Sequence, residues 1–216
     1  MELQVGKEIE HIREYAIRMA TLAEEAVRAS TEAFLILDTE KAKNVIINDR
    51  NINELELLID KSVFECLALK APVAVDLRFL FSIQKMNKDL ERIGDHAVNI
   101  AQAAINCSIC GNAVINPDIQ LMVRLTNEMF SNAVTSFIKA DSKLALKVME
   151  QDDQIDELNR LMTREVIDTV KKDINTVDAA LELLRVSKNL ERIADLSTNI
   201  AEVVIFHSQA KDVKHH

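Results

Sequence analysis
Two segments one hundred residues apart carry the same series of oxygen donors. Glu91, Asp95 and Asn99 recur at four-residue spacing, and Glu191, Asp195 and Asn199 repeat the series. On an α-helix that spacing stacks the side chains along one line. Two further segments add donors at helical spacing: Asp49, Asn53, Glu56 and Asp60, with Asp152, Asp156 and Asn159 mirroring the first three. All-oxygen donor sets suit hard cations such as Mg, Mn, Ca or oxidised Fe. Like charges at i, i+4 cost an isolated helix about 0.2–0.5 kcal/mol per pair. Glu91/Asp95, Glu191/Asp195 and Asp152/Asp156 all carry that cost, and a bound cation would reverse its sign. A solvated salt-bridge lattice is the competing reading, because Lys88 and Arg92 flank the first series and Lys188 and Arg192 the second. Duplication of the stripe on matching segments is what favours a metal.

The elements that position these donors are helices. Only three glycines and two prolines occur in 216 residues, too few for the turns of a sandwich, barrel or propeller. Neither a Walker-type nor a dinucleotide glycine motif is present, which excludes the standard nucleotide loops. Trp is absent and aromatics are 4%, so the core is built from Leu, Ile, Val, Ala and Met, as in a helical bundle. The net charge of -9 argues against nucleic acid, which needs clustered Lys and Arg. No run approaches the apolar length of a membrane span. The first residues do not read as a signal peptide, and an odd, small cysteine count fits a reducing cytoplasm.

Helix stops divide the chain. Asp38 ends one helical run and caps the next. Lys70-Ala71-Pro72 ends the second helix, because the residue before proline is driven out of the α region. A third helix runs from about Ala74 to Ala104. Asn106 to Pro117, holding Cys107, Cys110 and Gly111, reads as the linker. Asn116-Pro117 restarts a helix with an N-cap and a first-turn proline, and Asp141 and Thr176 are the next N-caps. The chain is thus expected to be all-α, with two tandem three-helix bundles over 1–106 and 117–216 joined by a linker at 107–116.

Internal repetition supports the division. Lys88-Asp-Leu-Glu-Arg-Ile-Gly-Asp95 aligns with Lys188-Asn-Leu-Glu-Arg-Ile-Ala-Asp195, and Asn99-Ile-Ala101 with Asn199-Ile-Ala201. Both segments carry an apolar seam at three- and four-residue spacing: Phe79, Ile83, Met86, Leu90, Ile93, Ala97, Ile100 and Ala104, then Ala179, Leu183, Val186, Leu190, Ile193, Ser197, Ile200 and Val204. The seams read as bundle core. The acids fall off the seam, on an outer face. Gly94, between Glu91 and Asp95, implies that a neighbouring helix or ligand approaches closely there.

These paired segments, together with Ala71-Pro-Val-Ala-Val-Asp-Leu-Arg78, resemble the signatures of the PhoU family of phosphate-transport regulators. The resemblance spans about Glu8 to His215. It implies a non-catalytic, cytoplasmic adaptor between a phosphate ABC transporter ATPase and a membrane sensor histidine kinase, reaching the membrane only through those partners and leaving a homodimer open. It further implies multinuclear clusters of di- or trivalent metal, with Fe, Mn, Mg, Zn or Ni as the options. By position, one cluster would use Glu91 and Asp95 with Asp49 and Asn53. The other would use Glu191 and Asp195 with Asp152 and Asp156, and Asn99 and Asn199 match the family's Asn. Leu196 stands where the family often has the His seen at His96, which argues against His96 as an essential ligand.

Two other functions remain open at this stage: a carboxylate-bridged, metal-dependent phosphoesterase, and a metal-free helical scaffold. Arg78, Arg92 and Arg192 could clamp phosphate, although nearby acids could satisfy each of them instead. Cys107-Ser-Ile-Cys110 reads as a pair of linker thiols, and Glu8-Ile-Glu-His11 lacks the second copy and extra carboxylates of a di-iron site.

Overall fold
The computed structural model describes residues 2–70, 72–110 and 116–209, and all regular structure among them is helical. The first half contains α1 (Glu2–Ile36), α2 (Thr39–Asn48), α3 (Arg50–Lys70) and α4 (Ala74–Cys110). The second contains α5 (Pro117–Lys139), α6 (Ser142–Met149), α7 (Asp152–Lys172) and α8 (Val177–Gln209), with a 3₁₀ turn at Ile174–Thr176. The expected second helix of each half is interrupted once, at Asp49 and at Glu150–Gln151. Asn48-Asp49-Arg50-Asn51 explains the first break: Asn and Asp compete for backbone hydrogen bonds and weaken a helix interior. If α2–α3 and α6–α7 are each counted as one broken arm, the architecture is two three-helix bundles.

The ends of α1 and α5 show how a glycine-poor chain turns. Leu37 and Ala140 adopt left-handed backbone, with φ of 55° and 51°. Asp38 N–H donates to Ala33 O at 2.9 Å and Leu37 N–H to Phe34 O at 3.4 Å; Asp141 N–H donates to Ser136 O at 2.8 Å and Ala140 N–H to Phe137 O at 3.2 Å. These are paired Schellman closures with a non-glycine residue at the left-handed position. The aspartate that closes one helix then caps the next. Asp38 Oδ1 accepts from Glu40 and Lys41 N–H, and Asp141 Oδ1 from Lys143 and Leu144 N–H. Asn116 caps α5 as expected, accepting from Ile119 N–H at 2.9 Å. Thr176 instead donates its hydroxyl back to Asp173 O, and Asp173 caps the 3₁₀ turn by accepting from Asn175 N–H.

Both seams are core: Leu90, Ile93, Ile100, Val186, Leu190 and Ile193 are each at most 1% exposed. The helix carrying the first seam outlasts the expected stop at Ala104. Residues 105–110 contain neither Gly nor Pro, and the buried Cys107 extends the apolar stripe beyond Ala103 and Ala104. Cys107 is therefore a core thiol on α4 and not a linker thiol. Gly111 and the rest of the expected linker up to 115 lie outside the described residues, as does the side chain of Cys110.

α4 and α8 pack against one another as well as within their own bundles. Asn106 meets Glu182, Asn99 meets Arg185, His96 meets Asn189, and Lys85 meets Phe206. One number rises as the other falls, so the two helices run antiparallel. A second seam joins α1 to α5, where Asn127 Nδ2 donates to Thr31 Oγ1 at 3.1 Å.

Glycine relieves the left-handed strain that a Cβ imposes, about 1–2 kcal/mol, against an entropic cost of about 0.5–1 kcal/mol. Ala140→Gly is therefore expected to be neutral to stabilising by up to about 1 kcal/mol in urea unfolding, whereas the same change at a mid-helix alanine such as Ala133 destabilises by about that amount.

Candidate metal centres
The carboxylate stripes lie where the α2–α3 and α6–α7 arms cross α4 and α8. In the second half, one oxygen each from Asp156, Glu191 and Asp195 lies within 4.8 Å of the other two. Burial first, then Glu191, with Asp156 also contributing, raises the Asp195 carboxyl above its ordinary range against the opposing pull of Arg192. Arg192 Nη1 donates to Asp195 Oδ2 at 2.9 Å, and Lys188 Nζ lies 2.6 Å from Glu191 Oε1. Even so, Glu191 Oε2 is buried without a hydrogen bond. Asp152 opens α7 one turn before Asp156 and stands outside this trio.

In the first half, Asp49 sits at the break between α2 and α3 and faces Glu91 and Asp95 on α4. Burial raises its carboxyl, the Asn53 amide lowers it, and Asp95 and Glu91 raise it further. Asn53 Nδ2 donates to Asp49 Oδ2 at 2.9 Å, while Asp49 Oδ1 is buried with no hydrogen bond. Asp95 is raised by burial and Glu91, against His96 and Lys88. Gly94 makes the approach possible: a Cβ there would lie 3.0 Å from Asp49 Oδ1 and 3.1 Å from Ile52 Cδ1.

Each half therefore holds a buried carboxylate oxygen that accepts no hydrogen bond, Asp49 Oδ1 and Glu191 Oε2, the latter 3.7 Å from Arg192 Nε; among the described residues only the second half brings three acidic residues' oxygens within 4.8 Å of one another. Buried polar atoms are nearly always satisfied, and a cation would satisfy these. The donor set fits a hard or borderline cation.

The remaining expected donors point elsewhere. Asn99 Oδ1 accepts from Arg185 Nη2 on α8, at 3.4 Å, and the Asn199 amide donates to Asp89 on α4. Both asparagines are thus engaged with the opposite half of the molecule. Glu56 accepts from Lys88 at 3.2 Å, and Asp60 accepts from Gln84 and Asn87. Asn159 accepts from Ser187 at 2.7 Å. The competing salt-bridge reading is thus realised in part, through Lys88, Lys188 and Arg192, while Asp49 Oδ1 and Glu191 Oε2 stay buried without a hydrogen bond.

Asp89 was not singled out by its sequence context. Burial pushes its carboxyl up to about 6, although Arg92, Asn199 and Lys85 pull the other way. The readable signal was its replacement by Asn189 in the otherwise matching repeat.

A tandem-duplicated all-α protein with a carboxylate stripe on each half is the class that fold and site define. The PhoU domain family model matches residues 16–104 and 119–204. The phosphate-specific transport system accessory protein PhoU homolog of Aquifex aeolicus is 39% identical over 99% of this chain and 96% of that protein. The Escherichia coli protein named phosphate-specific transport system accessory protein PhoU is 27% identical over 98% and 88%. The crystal structure of PhoU from Pseudomonas aeruginosa superposes with a TM-score of 0.92 at 30% identity, covering 95% of this chain and 99% of that one. The Streptococcus pneumoniae phosphate transport system regulatory protein PhoU gives 0.87 at 26% identity, covering 98% and 100%. The chain belongs to the PhoU family.

The raised carboxyls give metal-free protein a defined pH response. Asp49, Asp89, Asp95 and Asp195 hold their protons more tightly folded than unfolded. Their contribution to stability is therefore present at low pH and is lost as pH rises through the folded values. For Asp89 that loss falls between 3.8 and about 6. Thermal melts of EDTA-treated protein should show Tm falling across this window from these groups, and Asp89→Asn should flatten the change.

Proposed function
We propose that this protein is a cytoplasmic, non-catalytic regulator of phosphate uptake. It couples the ATPase of a phosphate ABC transporter to a membrane sensor histidine kinase and holds the kinase in its phosphatase-like mode when phosphate is plentiful. The relatives' names, accessory and regulatory proteins of phosphate transport, support this reading over a phosphoesterase. Among the described residues no helix is long and apolar enough to cross a membrane, which fits a protein that reaches the membrane through partners. Deleting the gene should derepress an alkaline phosphatase reporter in phosphate-rich medium; unchanged output would overturn the reading.

Each bundle carries a metal cluster in this proposal. Asp156, Glu191 and Asp195, with Asp152, hold one; Asp49, Glu91 and Asp95, with Asn53, hold the other. The convergence of the Asp156, Glu191 and Asp195 oxygens is the observation that carries the assignment. Bound cations neutralise the stripes and present fixed positive charge on the bundle surface. Fe, Mn, Mg, Zn and Ni remain in play, and elemental analysis of native protein distinguishes them. Glu191→Ala should remove metal from the second half and Asp49→Ala from the first. Because the apolar seams are separate from the stripes, chelation should leave helical circular dichroism largely intact; wholesale loss of helix on adding EDTA would contradict this.

A further inference from the structure
One end of the junction between the two halves encloses a cavity of about 20 Å³. Four helices line it: α1 through Arg13, α4 through Phe79 and Ser82, α5 through Phe137, and α8 through Val203 and His207. Ser82 is 3% exposed, and its hydroxyl has no hydrogen-bond partner among the described residues. Arg13 Nε is also buried without a hydrogen bond. The Glu10 carboxylate stands 3.8 Å from it and does not line the cavity.

The Phe79 ring fixes the groups on either side of it. The Arg13 guanidinium carbon lies 4.8 Å from the ring centroid, and the His207 ring meets the same ring edge-on at 5.5 Å and 71°. Burial first, then Arg13 and Arg78, holds the His207 imidazole below its ordinary range. The cavity therefore lies in a positive field, and among the described residues no carboxylate lines it. The duplicated positions differ. One hundred residues on, Asp178, Ala179 and Glu182 stand in place of Arg78, Phe79 and Ser82. The matching end of the junction carries acids, with Asn106 Nδ2 donating to Glu182 at 2.8 Å, and would repel an anion. The positive cavity thus belongs to the first end alone and is not a product of the shared helical scaffold.

Buried polar atoms normally have a partner, and a cavity needs roughly 10–15 Å³ to hold one water-sized species. Arginine only donates, and a serine hydroxyl turns its hydrogen toward any acceptor at hand. A water here would meet chiefly donors and positive charge, whereas a monatomic anion accepts from all of them. We propose that this cavity binds a chloride-sized monatomic anion, held by the Arg13 Nε–H and the Ser82 hydroxyl with His207 beside it. Arg78 adds charge through space. The anion ties α1 and α4 of the first half to α5 and α8 of the second and stiffens this end of the junction. The site shares no residue with the carboxylate stripes and does not rest on the regulatory reading.

The test has a crystallographic arm and a solution arm. In crystals of the full chain soaked in bromide, anomalous scattering at the bromine edge should place an ion in this cavity, against Arg13 and Ser82. In solution, thermal melts in potassium chloride and in potassium gluconate at equal ionic strength should differ. Chloride at about tenfold excess over Kd should raise Tm by about 3–6 °C. Ser82→Ala and Arg13→Gln should each abolish most of that difference, while Lys85→Gln, which removes a cation of α4 outside the cavity, leaves it unchanged. Ser82→Ala keeps a good helix former in place and carries the test if Arg13→Gln fails to fold. Equal melts in the two salts overturn the proposal, as does a chloride increment that survives Ser82→Ala. A water in the cavity, with bromide absent or confined to the outer surface, overturns it as well and leaves a hydration site only.

Discussion
The molecule depends on two long helices being buried on two sides at once. α4 and α8 each close a three-helix bundle along one stripe and meet each other along another. Ile93 and Ile193 are fully buried within the same helical turns that carry Glu91, Asp95, Glu191 and Asp195. A helix covered on two sides has little freedom to roll, and close-packed interiors resist small displacements. The carboxylates are therefore fixed against the short arms that cross them. The same pairing determines what each half contributes to the other: Asn99 reaches Arg185, and Asn199 reaches Asp89. Residues of one sequence motif thus serve two places, acids toward their own bundle and asparagines toward the partner bundle.

Duplication set up this symmetry, and a few substitutions broke it. Gly94 faces Ala194, Asp89 faces Asn189, and His96 faces Leu196 in the repeat. Each change has a local physical consequence. Gly94 admits Asp49 and Ile52 where a methyl would crowd both. His96 gives Asn189 a hydrogen-bond partner in the junction, whereas Leu196 presents an apolar side chain to the other end. Arg92 and Arg192 are the same residue with different fates, because Asp195 and Glu191 capture the second while the first acts on Asp89. Two halves inherited from one ancestor therefore present different side chains and different charge balance at matching positions.

What could be read in the sequence was whatever is local and periodic. The seams, the caps at Asp38, Asn116 and Asp141, and the duplicated stripe all follow from spacing of three and four or from a single turn residue. The left-handed closures at Leu37 and Ala140 could not be read, because their usual signal is glycine and tertiary packing holds them without it. The extension of α4 to Cys110 was masked by a composition that looks like a linker but contains no breaker before Gly111. The partners of Asn99 and Asn199 lie across the junction, roughly a hundred residues away in sequence, so no helical wheel could find them. Asp89 was visible only as a mismatch in the repeat alignment, and a mismatch gains meaning once the junction around it is known.

The stripes show why apolar packing and the charge state of the acids are separable in this architecture. Burial and neighbouring acids oppose ionisation of Asp49, Asp95 and Asp195, so ionising them costs free energy that the apolar seams must supply. The seams do so because they occupy different faces of the same helices, so a change in the charge of the acids leaves the packing in place. A glycine in mid-helix follows the same logic. Gly94 costs up to about 1 kcal/mol of helix propensity, yet an alanine would press a methyl against the Asp49 carboxylate at 3.0 Å. The chain gives up helix stability at one position to let an acid from another helix approach two more. Ile52 gains room from the same missing methyl, with its Cδ1 3.1 Å from where a Cβ would stand, so the glycine serves apolar packing and the approach of the carboxylate together.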